Sequence, residues 1–313
     1  MHVNVNFFRK FKGFFKLSRS ERLASLLAHG FINKSDLEVL RGSSSPRILD
    51  HADNLIENTV GCFPLPLGIA TNCVIDGKPR LIPMAVEETS IIAALSSAGK
   101  WVSESNGHIK TSQNGWGVRG QLFFTSPAEI KKVTTYITSN EKELISKLNL
   151  QVVPSMVRRG GGICSITPRG FKLKGGGRAL AVDIVLDACE AMGANLVCQI
   201  AEALKDCVFE DIGAAGKLAI VSNLSDCQIT QATLVIPNAD PSFAEDIVEA
   251  GSIAASDPYR AVTHNKGVLN GVDAVAIATG NDWRAIEASL HGYAAMSGSY
   301  SPLTSWEYVS GDL

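Results

Sequence analysis

The sequence has little charge imbalance and no long hydrophobic run. Its 313 residues include 29 basic and 31 acidic side chains, which leave a formal net charge of −2. The chain therefore lacks the basic field on which nucleic-acid binding depends. Glycine, serine or charged residues interrupt every apolar run before it reaches the roughly 18 residues of a membrane span. We expect no nucleic-acid partner and no membrane span.

Cysteine and histidine patterns of known sites are also missing. The seven cysteines form no Cys-x-x-Cys pair, and a chain of this length needs no disulfides to fold, so we expect reduced thiols and a cytoplasmic protein. No His-x-x-x-His spacing occurs among the six histidines, so we expect no metal site. Neither Gly-x-Ser-x-Gly nor a Gly-x-Gly-x-x-Gly after a predicted strand is present, which disfavours serine hydrolases and ordinary Rossmann binding.

The N-terminal residues 7–16 interleave phenylalanines with lysine and arginine and contain no acid. This pattern is compatible with a targeting or membrane-surface segment. It is more typical of a docking helix whose phenylalanines pack on the protein while its lysines face water.

The first hundred residues predict helices followed by a β-hairpin. Leucines at helical spacing indicate helices over 17–41, with Ser35 capping the second one. Further on, Asp76-Gly77 separates two extended runs and supplies the positive φ angles of a tight hairpin turn. A helix with one apolar face begins near Ile91, so Glu87-Glu88 lies at an exposed junction between a strand and a helix.

Strands alternate with helices in the rest of the chain, which predicts an α+β fold. Residues 112–222 behave as an insert, with a helix after Ser126-Pro127 and a strand over 179–186. After the insert, the apolar run 272–278 predicts a buried strand. A sharp turn at 279–282 then leads into a further helix.

Several ionisable groups lie at predicted element ends, where side chains can carry chemistry. Lys266, between a His-Asn pair and a glycine, could stabilise an oxyanion, although most lysines are solvated surface groups. Asp282 precedes Trp283 as an ordinary helix cap would. A functional role requires its carboxylate to turn toward Lys266 and Glu88. The run 158–162, Arg-Arg-Gly-Gly-Gly, suits either a phosphate or a solvated turn.

Six segments together resemble hydroxymethylglutaryl-coenzyme A (HMG-CoA) reductase, specifically its soluble class II of bacteria and archaea. In chain order they are ENTVG at 57–61, LPLGIA at 65–70, PMAVEETS at 83–90, AMGAN at 191–195, DPYRAVTHNKG at 257–267 and ATGNDWRA at 278–285. They extend over nearly the whole chain.

The resemblance implies a domain arrangement and an oligomer. Residues 1–111 and 223–313 would form a large mixed α/β domain for substrate and CoA, and 112–222 an inserted ferredoxin-like domain for NAD(P). The family works as a dimer, so a homodimer or higher oligomer is implied. Its interface would include Glu57, Asn58 and Gly61.

The resemblance also implies a reaction, the NAD(P)H-dependent reduction of HMG-CoA to mevalonate and CoA, or its reverse, by two hydride transfers. Lys266 matches the lysine that stabilises each oxyanion, Glu88 the glutamate that protonates the aldehyde stage, and Asp282 the aspartate between them. The implied substrate-binding residues are Ser90, Asn223, Arg260, Thr263 and Asn270.

For the cofactor, the resemblance implies a binding surface made by Arg158, Arg159, Gly160, Gly161, Met192, Gly193 and Asn195. No acid lies between Leu148 and Gly160, where NADH-specific relatives carry one, so NADPH is favoured over NADH. Glu190 stands where the family has an aspartate. Together with Asp187 it predicts a capping box that starts a helix here.

Family members continue past the 304–307 segment into a flap with a histidine that protonates the leaving CoA thiolate, whereas this sequence ends at Leu313. Neither His264 nor His291 matches that histidine. A missing general acid costs ~10²- to 10⁴-fold in rate, so weak or no turnover is expected of this chain alone. Two alternatives stay open: a binding partner of a complete reductase or of a separate C-terminal piece, and a nucleotide-binding scaffold.

Overall fold

The computed structural model describes residues 11–115 and 117–313. The chain divides into two compact units, Met1–Leu67 and Gly68–Leu313. The domain boundaries predicted near residues 112 and 222 remain a prediction.

The first unit is helical. Its elements are a short 3-10 helix (Phe14–Lys16), α1 (Arg19–Ala28), α2 (Lys34–Arg41) and α3 (Pro46–Leu55). The cap of α2 is Asn33 and not Ser35, because the Asn33 side chain accepts from the Asp36 N–H at 2.9 Å. The sequence did not predict α3, although Ser45 caps it and a proline opens it.

The N-terminal aromatic segment is described only in part, since residues 7–10 lie outside the described residues. The Phe11 ring lies 5.6 Å from that of Phe14, 5.5 Å from that of His29 and 5.3 Å from that of Phe31, centroid to centroid. For Phe11 and Phe14, these contacts support the interpretation in which the phenylalanines pack on the protein.

The remaining described chain holds eight strands and seven helices. The strands are β1 (Leu67–Ile75), β2 (Lys78–Ala85), β3 (His108–Asn114), β4 (Val118–Phe124), β5 (Gly162–Lys172), β6 (Arg178–Asp187), β7 (Leu218–Val221) and β8 (Ile229–Val235). The helices are α4 (Ile91–Glu104), α5 (Pro127–Gln151), α6 (Pro154–Arg158), α7 (Ala194–Ile212), α8 (Pro241–Ser256), α9 (Pro258–Ala278) and α10 (Trp283–Ala294). None of the described helices combines the length and apolar character that a membrane crossing requires.

One sheet has the strand order β2-β1-β3-β8. The predicted hairpin is confirmed, with Asp76 at φ 52° and Gly77 at φ 71° in its turn. Helix α9 packs against β2, and also against α4, α8 and α10. Ala274 of α9 is buried with Ala70 and Met84 of the hairpin. This packing brings the middle of α9 to the end of β2.

The other sheet has the order β5-β6-β4-β7, and each neighbouring pair is antiparallel. With α5 after β4 and α7 after β6, this is the ferredoxin-like topology that the resemblance implied. Both helices contribute to the main core, which includes Phe124, Ile137, Ile184 and Leu204. The predicted α+β fold class is confirmed.

A buried carboxylate lies among the strands of this second sheet. Asp183 is 3% exposed and accepts from Arg169 Nε at 2.7 Å and from Gln121 Nε2 at 2.7 Å. Burial alone would raise the pKa of Asp183, but the hydrogen bonds from Arg169 and Gln121 outweigh it and lower the pKa below its usual value. The strands β4, β5 and β6 are thereby tied together by charge as well as by backbone.

The predicted strand at 272–278 was wrong, because these residues end the 21-residue helix α9. The helix begins where Asp257 accepts from the Arg260 N–H at 2.9 Å and Pro258 takes the first position. The valines and isoleucine near its end form an apolar run that is also typical of a buried strand. Burial of Ala274 and Ala276 against the hairpin and neighbouring helices favours the helix.

Candidate active site

Two of the three predicted catalytic residues meet. Glu88 lies in the junction that follows β2, and Lys266 lies in the middle of α9. Lys266 Nζ donates to Glu88 Oε2 at 2.9 Å. The side chains are 61% and 51% exposed, so the pair is open to a substrate.

Lys266 shares a helix face with other predicted site residues. Four of them lie on α9 at intervals of three, three and four residues, which keeps them on one side of a helix: Arg260, Thr263, Lys266 and Asn270. The buried side of α9 includes Ala261, Asn265 and Leu269. The polar row is consistent with binding an extended polar molecule along α9.

A fully buried amide fixes the rotation of this helix. Asn265 Nδ2 donates to the Ser301 carbonyl at 3.0 Å, and Asn265 Oδ1 accepts from the Leu303 N–H at 2.8 Å. Because both amide ends are used, α9 cannot turn without losing them. Sequence reasoning did not identify this role, although Asn265 continues the buried stripe between Ala261 and Leu269.

His264 supports the same segment. Its Nε2 lies 2.6 Å from the Thr304 hydroxyl. Burial, with a smaller contribution from the charge of Arg260, lowers the pKa of His264. The ring is therefore neutral at neutral pH, which suits a hydroxyl contact better than proton transfer to a thiolate.

Ser90 holds an unusual backbone conformation at the start of α4. Its φ is 72° in the left-handed region, and its side chain makes no capping hydrogen bond to α4. Such a conformation costs a non-glycine residue about 1–3 kcal/mol. The hydroxyl is exposed and lies two residues after Glu88, in keeping with the predicted substrate contact.

Asp282 does not join the Lys266–Glu88 pair. Its Oδ1 accepts from the Ala285 N–H at 3.1 Å as the cap of α10, and the same oxygen lies 3.8 Å from Arg284 Nε. The ordinary capping role is the one observed. Asp282 also faces a cavity.

That cavity has a volume of about 420 Å³ and lies between β4, the turn after β6 and the α9–α10 turn. Its lining consists of Gly117, Val118, Asp187, Ala188, Cys189, Glu190, Ala191, Met192, Gln228, Gly280, Asn281 and Asp282. Three of these side chains are carboxylates and none is basic, so the cavity attracts hydroxyl, amide or cationic groups more than phosphate.

The predicted capping box at Asp187 and Glu190 was wrong. Asp187 Oδ1 accepts from the Cys189 N–H at 2.8 Å within a turn, and α7 begins only after Gly193. Gly193 has φ 80°, and no side chain caps the helix. A helix start without a side-chain cap leaves backbone N–H groups for an anion.

Two predicted cofactor glycines are required by close packing. A Cβ on Gly161 would lie 2.5 Å from the Asp187 carbonyl oxygen, and one on Gly193 would lie 2.6 Å from the Ala188 Cβ. Both glycines therefore let the cavity-lining turn approach its neighbours. Gly160 differs, since an added Cβ there would meet nothing within 4 Å.

Arg158 and Arg159, at the end of α6, are exposed. The Cys189 thiol lies 3.8 Å from the Arg159 carbonyl oxygen, which puts the two arginines beside the cavity-lining turn. Asn223 is exposed in the loop between β7 and β8. Within 11–115 and 117–313, no group of three His, Cys, Asp or Glu side chains could hold a metal ion.

The predicted dimer segment is described within the first unit only. Thr59 is 2% exposed, and its hydroxyl donates to the Ala52 carbonyl at 3.1 Å. Asn58 has φ 58°, and a Cβ on Gly61 would lie 3.0 Å from Ser43 Oγ. These contacts fix the loop. Oligomer formation through Glu57, Asn58 and Gly61 stays a prediction.

The fold and site define an α+β protein with a ferredoxin-like sheet and a lysine–carboxylate pair at a hairpin end. Residues 18–311 match the family model of hydroxymethylglutaryl-coenzyme A reductase. The chain belongs to that family.

Similar proteins include two that are described as 3-hydroxy-3-methylglutaryl-coenzyme A reductases. The 3-hydroxy-3-methylglutaryl-coenzyme A reductase of Archaeoglobus fulgidus is 41% identical over 299 residues, which are 94% of this chain and 67% of that protein. A probable reductase of Borreliella burgdorferi is 34% identical over 82% of this chain and 59% of its own length. The chain thus spans about two thirds of these relatives.

Solved structures of reductases from one organism have a similar fold. The 3-hydroxy-3-methylglutaryl-coenzyme A reductase of Streptococcus pneumoniae superposes with a TM-score of 0.79 at 34% identity, over 96% of this chain and 72% of that one. A structure of the class II enzyme of the same organism, bound to NADPH in open conformations, has a TM-score of 0.78 at 34% identity, over 95% of this chain and 81% of that one.

Proposed function

We propose that this chain takes part in the NAD(P)H-dependent reduction of HMG-CoA to mevalonate and CoA, or in the reverse reaction. Family membership supports the reaction class. The single observation that carries the proposal is the exposed hydrogen bond between Lys266 and Glu88.

The pair has the chemistry that carbonyl reduction needs. Each hydride addition converts a carbonyl oxygen into an oxyanion, and an ammonium donor held at that oxygen lowers the barrier. Lys266 would donate to this oxygen. Glu88 would orient Lys266 through their hydrogen bond and, in its protonated form, supply a proton to the oxygen at the aldehyde stage.

The substrate would lie along the polar row of α9. Arg260 precedes Lys266 by six residues, about 9 Å along the helix axis. A guanidinium grips a carboxylate bidentately, so Arg260 would hold the carboxylate end of the acyl group while Lys266 holds its reacting oxygen. Thr263, Asn270, Ser90 and Asn223 would complete the acyl site.

The residues around the cavity fit a nicotinamide dinucleotide, which when bound supplies the hydride. Carboxylates in the cavity suit the ribose hydroxyls and the carboxamide, and the start of α7 at Gly193 and Asn195 suits a phosphate. Arg158 and Arg159 would bind further phosphate, including a 2′-phosphate, so NADPH is preferred to NADH. The NADPH-bound relative supports this assignment.

Asp282 would act from the cavity side. Its carboxylate lines the cavity, and its approach to Lys266 would be helped by opening of the capping bond between its Oδ1 and the Ala285 N–H. We propose that this opening accompanies substrate binding. A homodimer through the 57–61 segment and a cytoplasmic location are part of the same proposal.

The experiment is a titration followed by a turnover assay. Quenching of tryptophan fluorescence should show saturable binding of NADPH, with weaker binding of NADH. Addition of HMG-CoA should then cause at most slow NADPH oxidation, because a missing general acid costs ~10²- to 10⁴-fold in rate. Lys266→Met should keep NADPH binding and lose the oxidation. Absence of saturable binding of either nucleotide would contradict the proposal.

A further inference from the structure

A second pair of acidic residues meets between α9 and α10. Asp273 lies seven residues after Lys266, two turns along the same face of α9. Its carboxyl faces that of Glu287, which lies one turn inside α10, closely enough for a hydrogen bond when one of the two is protonated. Asp273 Oδ1 is buried and has no hydrogen-bond partner among the described residues.

Two carboxyl groups at hydrogen-bond distance share a proton, because neither oxygen of an ionised pair can donate. Burial is the largest cause that raises the pKa of Asp273, followed by the hydrogen bond and the charge of Glu287, and the value reaches about 6. The charge of His291 acts in the opposite direction.

The charged groups around this pair can be named by element. On the described elements packed against α9 they are Lys78 and Arg80 of β2, Lys100 and Glu104 of α4, Glu245, Asp246 and Glu249 of α8, and Arg284, Glu287 and His291 of α10. Those that act on the Asp273 carboxyl are Glu287 and His291. His291 is itself tied to the Tyr300 hydroxyl at 2.7 Å.

The two helices joined by the acid pair are also joined by the turn that carries Asp282. The Asn281 N–H donates to the Ala276 carbonyl at 2.8 Å, which folds the turn back on α9. Asp282 then caps α10 and faces the cavity. A change in the distance between α9 and α10 would therefore change the distance between Asp282 and Lys266.

We propose that Asp273 and Glu287 are positioning residues for Asp282, and that the proton they share holds α10 against α9 in the arrangement described above. When this proton is lost, the two carboxylates repel each other, α10 shifts, and the 279–282 turn moves with it. The catalytic consequence rests on the proposed function, but the movement does not.

The movement has a reporter. Trp283 is the first residue of α10, follows Asp282 and is 40% exposed. Its fluorescence, taken as the difference between the parent chain and Trp283→Phe, should change with a midpoint near pH 6. Asp273→Asn and Glu287→Gln should each abolish this transition. Glu245→Gln, an exposed change on α8, should leave it intact.

One more variant separates the acid pair from His291, whose charge acts on Asp273. His291→Gln should keep the transition and move its midpoint upward, because the positive charge that lowers the pKa of Asp273 is gone. Abolition of the transition by His291→Gln, or its persistence in both Asp273→Asn and Glu287→Gln, would overturn the proposal. So would a parent chain whose Trp283 signal does not change with pH. Circular dichroism shows whether each variant is folded.

A turnover assay adds the catalytic readout. In the parent chain kcat for HMG-CoA-dependent NADPH oxidation should change with the same midpoint, and Asp273→Asn should flatten that profile while KM for NADPH stays constant. If the parent chain binds neither NADPH nor NADH, the proposed function fails. The Trp283 transition still decides the positioning role independently.

Discussion

The Lys266 ammonium donates to the Glu88 carboxylate at 2.9 Å, although the two residues are 178 positions apart in the chain. Packing of α9 on β2 brings them together. An exposed ion pair stabilises a fold by only about 0–1 kcal/mol, so stability alone gives little reason for this arrangement. Its accessibility fits a chemical role.

Neutralising either partner should therefore leave the fold intact. We expect Glu88→Gln and Lys266→Met to change the free energy of unfolding by less than about 1 kcal/mol, since both side chains are more than half exposed. Urea unfolding measures this. A loss of several kcal/mol would mean that the pair is structural.

Asp183 should behave in the opposite way. Asp183→Asn removes a buried carboxylate that accepts from Arg169 and Gln121, and loss of these hydrogen bonds costs roughly 1–3 kcal/mol of unfolding free energy. Asp206→Asn, an exposed change on α7, should cost almost nothing by the same urea titration.

The pH dependence of this interaction has a definite sign. Because the pKa of Asp183 is lowered in the folded chain, its stabilising effect is complete above the pKa of the unfolded chain. It is lost as pH falls through the folded value. The difference in stability between the parent chain and Asp183→Asn should thus shrink in acid, and a difference that grows in acid would contradict the assignment.

Arg158 and Arg159 should determine the choice of nucleotide. Replacement of each by glutamine should weaken NADPH binding about tenfold, the loss of one charge-assisted hydrogen bond, and leave NADH binding nearly unchanged. Lys131→Gln, on the exposed side of α5, is the matched control. Equal losses for both nucleotides would exclude recognition of the 2′-phosphate.

Gly193 should not tolerate a side chain. Gly193→Ala combines φ 80° with a Cβ contact of 2.6 Å, and we expect a loss of about 1–3 kcal/mol together with weaker NADPH binding. Gly175→Ala, where an added Cβ meets nothing within 4 Å, should change neither. Thermal unfolding and nucleotide titration check both variants.

The sequence predicted the turns and helix starts that depend on residues close together in the chain. Asp76-Gly77 marks the hairpin turn because its positive φ angles are required locally. Asp282 marks the start of α10 because a cap acts on residues three positions away. Glu88 and Lys266 were also noted from their local sequence. The prediction that the two side chains act together came from the resemblance and not from their spacing in the chain.

Long-range packing explains the errors and omissions. The run 272–278 has strand-like composition, but its helix is stabilised by contact with β2, which is distant in sequence. Strand β5 was missed because it contains Pro168, which an edge strand tolerates. Helical spacing places Asn265 on the buried stripe of α9, but neither its partners nor the Asp273–Glu287 pair had a local signal.

The most direct test of the central claim is HMG-CoA-dependent oxidation of NADPH by the chain and two lysine variants. We predict that Lys266→Met slows oxidation about 10²- to 10³-fold, as expected for loss of one oxyanion donor. Lys100→Met, which removes an exposed lysine paired with Glu104 on α4, should react like the parent chain. Oxidation by Lys266→Met at the parent rate would contradict the account.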